Sequence, residues 1–449
     1  MSVPLLKEFY RVQSFPTFHR CFMLTSYDFI AATEQEIKHF RKHFTPEMAT
    51  DLLFTTPTGE RIGFIDVVIE GGGVKGIGAL GALYALEECG LRFRKIAGTS
   101  AGALNAAFLA CAGKSAADHK TAQLLDILAN IDFLSFADGG DDAQAVIKLL
   151  TLPENDSALE TMLTRAKIML AAARNMNEVL LRLGLNPGGR LKAFLCQEFE
   201  KLNNGAAFTV GALQRKWRVD AITIDGEALE QDFQIVASDI THRTKAVFPL
   251  NLSEYVRDPK SILIGDLVRA SASIPIFFAP YRLGDFSTPP ENIKAPHSTC
   301  FVDGFIVSNF PLSLFDVSDF AAPPKCPTFG ITIEDQSPER AQNQGIENIV
   351  QLGLAIFQTA SQHGDKGYIK HNPGNTVRII RVSNRVGSRM NTDAQGRKGE
   401  PEIVENYISA IDFTLTDDEK IHLFRNGVLA VLEKLSTWNF REYIRRYRR

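Results

Sequence analysis

Two consecutive segments, each an apolar run followed by a turn and a helix-like stretch, constrain the fold of this chain more than any other feature. Residues 62–70, IGFIDVVIE, predict a buried strand, and residues 76–90 predict a helix. Residues 93–99, FRKIAGT, predict a second strand, and residues 100–113 a second helix. Strands that alternate with helices through short connections form parallel sheets with right-handed crossovers. The sequence therefore predicts an α/β fold.

The size and composition are those of a large globular protein. The chain has 449 residues, of which 45% are hydrophobic and 22% charged. This length suits one large α/β domain with extensions, or two domains. A net charge of −3 gives no reason to expect a nucleic-acid partner. The six cysteines form no CxxC pair, and we interpret them as reduced, buried thiols in a reducing compartment.

Two stretches bear on the cellular location. The first twenty residues lack a charged region followed by a long apolar run, so we expect no Sec signal peptide. Residues 96–113, IAGTSAGALNAAFLACAG, carry no charge over nearly a membrane-spanning length. They are rich in Gly, Ala, Ser, Thr and Asn, which favours a buried helix over a lipid-spanning one.

The glycine cluster after the first strand is open to three interpretations. Gly71, Gly73 and Gly76 satisfy the GxGxxG pattern of dinucleotide sites, but the next strand ends without the acidic residue that such sites use. A phosphate-binding P-loop needs Lys-Ser or Lys-Thr at this point, whereas Ile77 follows Gly76. The third interpretation is an oxyanion hole, in which backbone N–H groups at a helix N-terminus converge on one space.

An oxyanion hole requires a nearby nucleophile, and a candidate follows the second strand. Residues 98–102, GTSAG, form a GxSxG elbow, whose strained turn exposes the hydroxyl of Ser100. Gly98 and Gly102 let the neighbouring backbone pass close to this turn. Because both turns follow adjacent parallel strands, we expect them to meet at the carboxyl edge of the sheet, where α/β proteins place their sites.

With these motifs the sequence resembles the patatin-like phospholipase family. That family has a GGGxRG or GGGxKG loop, a GxSxG elbow and a late Asp-Gly pair. The loop stands here at 71–76, the elbow at 98–102, and the pair at Asp303 and Gly304. ASDITHRTKAVF (237–248) and VRASASIPIFFAPY (268–281) also resemble family segments, and the match covers about 62–335. The sequence departs from the family where Asp-Gly-Gly becomes Asp-Gly-Phe.

The resemblance implies a three-layer α/β/α fold with a mainly parallel central sheet and a helical insertion or lid. On this basis residues 1–60 are an N-terminal extension and 61–335 the catalytic domain, with the insertion at 114–205. Three methionines recur every seven residues within it, as in a flexible lid or in plain helix packing. Residues 336–449 are expected to be a strand and helix extension, packed on the domain or contacting a membrane.

The resemblance also implies a Ser–Asp dyad, in which Ser100 attacks the ester carbonyl and Asp303 accepts its proton. Burial must raise the pKa of such an aspartate for it to act as a base near neutral pH. A triad would need a later histidine, for which His363, His371 and His422 are available. The implied oxyanion hole comprises Gly71, Gly72, Gly73 and Val74, and the supporting motif residues are Lys75, Gly76, Gly98, Gly102 and Gly304.

The resulting expectation is a serine hydrolase that cleaves fatty-acyl esters of glycerophospholipids, with no cofactor. No residue cluster has metal-ligand spacing, which favours a calcium-independent enzyme. The alternatives are a neutral-lipid or galactolipid hydrolase, or a storage or binding protein with a vestigial site. Expected partners are membrane phospholipid and an activating ligand or protein. The expected location is cytoplasmic and peripheral at membranes, or that of a secreted effector. The C-terminal tail mixes aromatic residues with arginines, a composition that suits either contact with an anionic bilayer or the exposed end of a helix.

Overall fold

A computed structural model provides the architecture of the chain. Its strands are β1 (Leu53–Thr55), β2 (Arg61–Ile69), β3 (Leu91–Thr99), β4 (Gly184–Asn186), β5 (Thr223–Ile224), β6 (Glu227–Ala228), β7 (Asp232–Asp239), β8 (Thr244–Phe248), β9 (Ile276–Phe278), β10 (Tyr281–Leu283), β11 (Thr299–Asp303), β12 (Thr328–Glu334), β13 (Ile379–Ser383), β14 (Arg385–Thr392) and β15 (Lys398–Tyr407). The residues that the structure describes are 24–128, 131–139, 183–283, 299–316, 324–334, 365–392, 398–408, 410 and 415–447.

The helices alternate with these strands in the first half of the chain and dominate its end. They are α1 (Ser26–Ala31), α2 (Glu34–Phe40), α3 (Pro46–Ala49), α4 (Gly76–Glu88), α5 (Ala101–Cys111), α6 (Thr121–Leu128), α7 (Gly189–Leu202), α8 (Val210–Val219), α9 (Ile264–Ser271), α10 (Pro373–Val377), α11 (Asp417–Ser436) and α12 (Phe440–Tyr447). A further helical stretch covers 365–371. Among the described residues, no helix has both the length and the apolar character needed to cross a bilayer.

The main sheet has nine strands within the described part of the chain. Its order is β10-β11-β7-β3-β2-β12-β13, with β1 also paired to β2 and β8 to β7. The five strands from β7 to β13 in this order run parallel, whereas β1, β8, β10 and β11 pair in antiparallel fashion. The predicted α/β fold with a mainly parallel centre is therefore confirmed.

Both faces of the sheet are covered, as β2 shows most clearly. On this strand Ile65, Val67 and Ile69 pack into the large core that contains α4, α5 and α11. Val68 faces the other way, into a cluster with Phe310 and other residues of the stretch after β11. A strand that is buried on both faces reads as a continuous apolar run, which is why β2 was recognisable in the sequence.

The C-terminal helices belong to the same packed body. Helix α11 lies directly on α4, where a Cβ atom on Gly81 would stand 2.0 Å from the carbonyl oxygen of Phe424. The tail aromatics Trp438, Phe440 and Tyr443 are buried, and the indole of Trp438 donates to the carbonyl of Ala49 at 3.2 Å. These three rings therefore stabilise the core and do not face a membrane.

Some local expectations differ from the structure, and others lie outside the described residues. Residues 384–402 are rich in Gly, Asn and Arg, which is typical of a mobile segment, and their described part contributes to the antiparallel pair β14–β15. The apolar run NTVRIIRVS (375–383) predicts a strand, but that strand starts at Ile379 because the preceding residues form α10. Nearly half of the expected insertion, including its methionines, lies in the undescribed 140–182. The division into three regions stays a prediction.

Candidate active site

Ser100 occupies a strained turn between β3 and α5. Its φ of 54° and ψ of −119° lie outside the regions that residues with a side chain normally adopt. The turn is also closely packed, since a Cβ atom on Gly102 would stand 2.3 Å from the carbonyl oxygen of Ile69. One on Gly98 would stand 2.3 Å from the carbonyl carbon of Gly102. Glycine at both positions is therefore required for this turn.

Asp303 reaches Ser100 because two strands end head to head along one edge of β7. Strand β8 occupies one edge of β7 along Ile235–Asp239, so β3 and β11 share the opposite edge. The last residue of β3, Thr99, is in register with Val236. Asp303, the last residue of antiparallel β11, is in register with the next residue of β7, Ala237. The two strand ends therefore face each other.

This meeting of strands produces a direct hydrogen bond. The hydroxyl of Ser100 donates to Oδ2 of Asp303 at 2.5 Å, and the amide of Phe305 donates to Oδ1 at 3.0 Å. Asp303 is completely buried, and this burial raises the pKa of its carboxyl to about 7, although both hydrogen bonds act in the opposite direction. The arrangement gives a carboxylate that can exchange a proton with the serine hydroxyl near neutral pH.

The glycine loop lies beside this pair, and its amides are not equivalent. The amide of Gly71 donates to the carbonyl of Asn309, and that of Val74 donates to the carbonyl of Ala410, both at 3.1 Å. Within the described residues, the amides of Gly72 and Gly73 have no hydrogen-bond partner. Of the four amides expected to form an oxyanion hole, these two are therefore the ones that can receive an anion.

The remaining motif residues have structural positions. Lys75 is buried. Burial raises the pKa of the Glu70 carboxyl, and the charge of Lys75 acts in the opposite direction. Gly76 begins α4. A Cβ atom on Gly304 would stand 2.2 Å from the carbonyl oxygen of Val236, so this position also requires glycine.

An apolar pocket opens at Ser100 and the glycine loop. Its walls come from α5, α6, α7, α9 and the segments that flank them, and besides Ser100 the polar lining side chain is Asn105. Such apolar walls favour binding of a hydrocarbon chain, because the chain is removed from water when it enters the pocket. The lining comprises Gly73, Val74, Gly76, Ile77, Ser100, Ala101, Leu104, Asn105, Leu128, Ile131, Phe133, Phe136, Leu191, Phe194, Val268, Ala272, Ile274, Phe277 and Phe278.

No role was predicted from the sequence for Ser271, which is hydrogen-bonded to the backbone of the elbow. Its hydroxyl accepts a hydrogen bond from the amide of Ser100 at 3.0 Å and donates to the carbonyl of Val236 at 2.6 Å. This serine lies in the segment VRASASIP that carries part of the family resemblance. The motif could have pointed to it, but only the three-dimensional contacts reveal its function.

Neither described candidate for a triad histidine contacts the pair. His371 is exposed, and its Nδ1 lies 2.6 Å from the carbonyl oxygen of Gly367. His422 lies on α11, where burial lowers its pKa, and His363 lies outside the described residues. In the described ranges, no group of His, Cys, Asp and Glu is arranged to hold a metal ion.

A serine on a strand–elbow–helix turn, a buried carboxylate beside it and an apolar pocket are features typical of a lipid ester hydrolase of the α/β class. The chain belongs to the patatin-like phospholipase family, whose sequence model matches residues 67–316. The uncharacterized protein YqhO of Bacillus subtilis is 27% identical over 378 residues, which cover 84% of this chain and 100% of that protein.

Three solved structures are also similar. VipD from Legionella pneumophila shows 14% identity and a TM-score of 0.40, with 88% of this chain and 71% of that chain covered. The ExoU–SpcU complex from the type III secretion system of Pseudomonas aeruginosa shows 17% identity and a TM-score of 0.29, with 81% of this chain and 62% of that chain covered. Human GIVD cytosolic phospholipase A2 shows 11% identity and a TM-score of 0.33, with 92% of this chain and 64% of that chain covered. These scores are too low to carry a comparison of sites.

Proposed function

We propose that this protein is a serine acyl hydrolase that cleaves fatty-acyl ester bonds of glycerophospholipids through Ser100 and Asp303. The observation that carries the proposal is the 2.5 Å hydrogen bond between the hydroxyl of Ser100 and the buried carboxylate of Asp303. Membership of the patatin-like phospholipase family supports a lipid ester as the substrate. The apolar pocket beside Ser100 supports a fatty-acyl chain as the part that is bound.

In the proposed reaction, Ser100 Oγ attacks the ester carbonyl while Asp303 accepts the hydroxyl proton and then returns it to the departing alcohol. Water next attacks the acyl-enzyme with Asp303 again as the base, which releases the fatty acid and regenerates the serine. Positioned proton transfer of this kind contributes roughly 10²–10⁴-fold to the rate. The amides of Gly72 and Gly73 receive the oxyanion, and one such donor stabilises the transition state by about 3 kcal/mol.

A phospholipid substrate places the enzyme at a membrane surface, and we propose peripheral association during catalysis. The substrate would enter with one acyl chain in the pocket and its head group towards solvent. Activation by a ligand or a protein partner, and delivery as a secreted effector, remain hypotheses; a low basal rate that rises on addition of cell extract would support the first.

The test is release of fatty acid and lysolipid from pure phosphatidylcholine and phosphatidylglycerol vesicles. We expect Ser100→Ala and Asp303→Asn to abolish release, and the exposed-site controls Ser253→Ala and Asp225→Asn to leave it unchanged. If Asp303→Asn retains nearly the full rate while His371→Ala removes it, the proposed base is wrong. If triacylglycerol emulsions or galactolipid vesicles are cleaved and phospholipids are not, the substrate class is wrong but the dyad stands.

A further inference from the structure

The carboxylate of Asp365 binds the chain just after the candidate base. Ser308 donates its hydroxyl to Oδ1 of Asp365, and the amide of Phe310 donates to Oδ2, both at 2.7 Å. Burial raises the pKa of the Asp365 carboxyl, whereas these donors and the amide of Asn309 lower it. One carboxylate thus receives hydrogen bonds from Ser308 and Phe310, the residues on either side of Asn309. Asp365 itself lies outside the range 67–316 that the family model matches.

The segment that Asp365 holds is in contact with both halves of the candidate site. The carbonyl of Ser308 accepts the hydroxyl of Thr99, the residue before the nucleophile, at 3.0 Å. The carbonyl of Asn309 accepts the amide of Gly71, the first residue of the glycine loop, at 3.1 Å. In turn, Nδ2 of the Asn309 side chain donates a hydrogen bond to the carbonyl of Gly71 at 3.1 Å. Residues 308–310 therefore bridge the elbow and the loop.

Gly71 and Asn309 are tightly packed against each other within this bridge. A Cβ atom on Gly71 would stand 2.4 Å from Oδ1 of Asn309 and 3.3 Å from the Cβ atom of Ser100. Displacement of Asn309 would therefore move Gly71 relative to the nucleophile. The helical stretch 365–371 is itself anchored, because the side chain of Asn375 donates to the carbonyl of Tyr368 at 3.0 Å.

We propose that Asp365 is a positioning residue for the hydrolase, which fixes residues 308–310 and through them the placement of the glycine loop against Ser100. This proposal rests on the proposed function of Ser100. Asp365 does not touch the substrate; it acts through Ser308, Asn309 and Phe310. The catalytic geometry consequently depends on a part of the chain beyond the matched family region.

The experiment compares wild type with Asp365→Ala and Asp365→Asn, and with Lys370→Ala as a control on the same helical stretch. Displacement of reacting groups by about 1 Å costs on the order of 10²-fold in rate. We expect the rate of labelling by a fluorophosphonate probe and kcat on phospholipid vesicles to fall by about 10- to 100-fold in both Asp365 variants. KM should change by less than about threefold, since most of the pocket wall comes from α5, α6, α7 and α9, to which the hydrogen bonds of Asp365 do not extend. Wild-type labelling rates in both variants would overturn the proposal.

Two further outcomes also decide it. If Asp365→Ala does not fold, the isosteric Asp365→Asn variant alone provides the comparison of labelling rate and kcat. If wild type neither hydrolyses lipid nor reacts with the probe, the proposed function fails, and hydrogen exchange at the amide of Gly71 tests the bridge by itself. We expect faster exchange at Gly71 in the Asp365 variants than in Lys370→Ala, and equal exchange would refute the positioning role.

Discussion

Replacing Asp303 with asparagine should stabilise the folded protein at neutral and alkaline pH while it removes activity. The side chains have the same shape, and an asparagine Oδ1 can still accept the amide of Phe305, as Asp303 does at 3.0 Å. Its Nδ2 can donate to Ser100 Oγ, so no buried polar group is left without a partner. What disappears is the cost of holding an ionised carboxylate in a buried position.

The magnitude follows from the pKa of Asp303, which burial raises from 3.8 to about 7. Between these values the folded state holds a proton that the unfolded state has released, so stability falls as pH rises. The penalty is absent below about pH 4 and complete above about pH 7. A difference of about 3 pKa units corresponds to about 4 kcal/mol, at roughly 1.4 kcal/mol per unit.

The assay is equilibrium unfolding in urea of wild type and Asp303→Asn at pH 4.5, 6 and 8. Other groups titrate equally in both proteins, so they cancel in the difference between the two free energies of unfolding. We expect the advantage of the asparagine variant to be larger at pH 8 than at pH 4.5 by about 3 kcal/mol. A difference that stays constant across this range would refute the raised pKa, and the exposed-site variant Asp225→Asn serves as the control.

Three other perturbations test the site. In wild type, kcat/KM should rise with pH to a plateau with an apparent pKa near 7, because the base must be ionised; a flat profile from pH 5 to 8 would contradict the assignment of Asp303. Gly102→Ala should lower both the melting temperature and the rate of fluorophosphonate labelling, since the added Cβ would stand 2.3 Å from the backbone. The control Gly367→Ala, which places its Cβ in open space, should lower neither quantity. Ser271→Ala should destabilise the fold by about 1–3 kcal/mol through two lost hydrogen bonds and slow labelling of Ser100; unchanged labelling would show that the elbow holds without it.

The parts of the fold that the sequence predicted are those determined by local pattern. Strands β2 and β3 are largely buried, and each leads through a short turn into a helix, so the two units were recognisable without their surroundings. The glycine loop and the elbow were predictable for the same reason, since each lies within a few residues of a strand end. The strand β4 is short, and nothing in the local sequence signalled it.

Contacts between distant segments could not be predicted in this way. The amide of Val74 meets the carbonyl of Ala410, which removes it from the expected oxyanion hole. Asp365 and Ser271 act on the site only through pairings with residues 57 and 171 positions away, respectively. Neither side chain belongs to a periodic pattern, so its role becomes visible only when the chain is folded.

The head-to-head meeting of β3 and β11 also accounts for the departure from the family pattern after Asp303. The amide of Asp303 donates to the carbonyl of Ser273 at 2.9 Å, and its carbonyl accepts the hydroxyl of Ser238 at 2.8 Å. The proposed base is therefore placed by contacts to its backbone on both sides, independently of the side chain two residues later. At that position Phe305 contributes only its amide to the carboxylate, and any residue other than proline can supply an amide. A phenylalanine in place of the second glycine is therefore compatible with the proposed dyad.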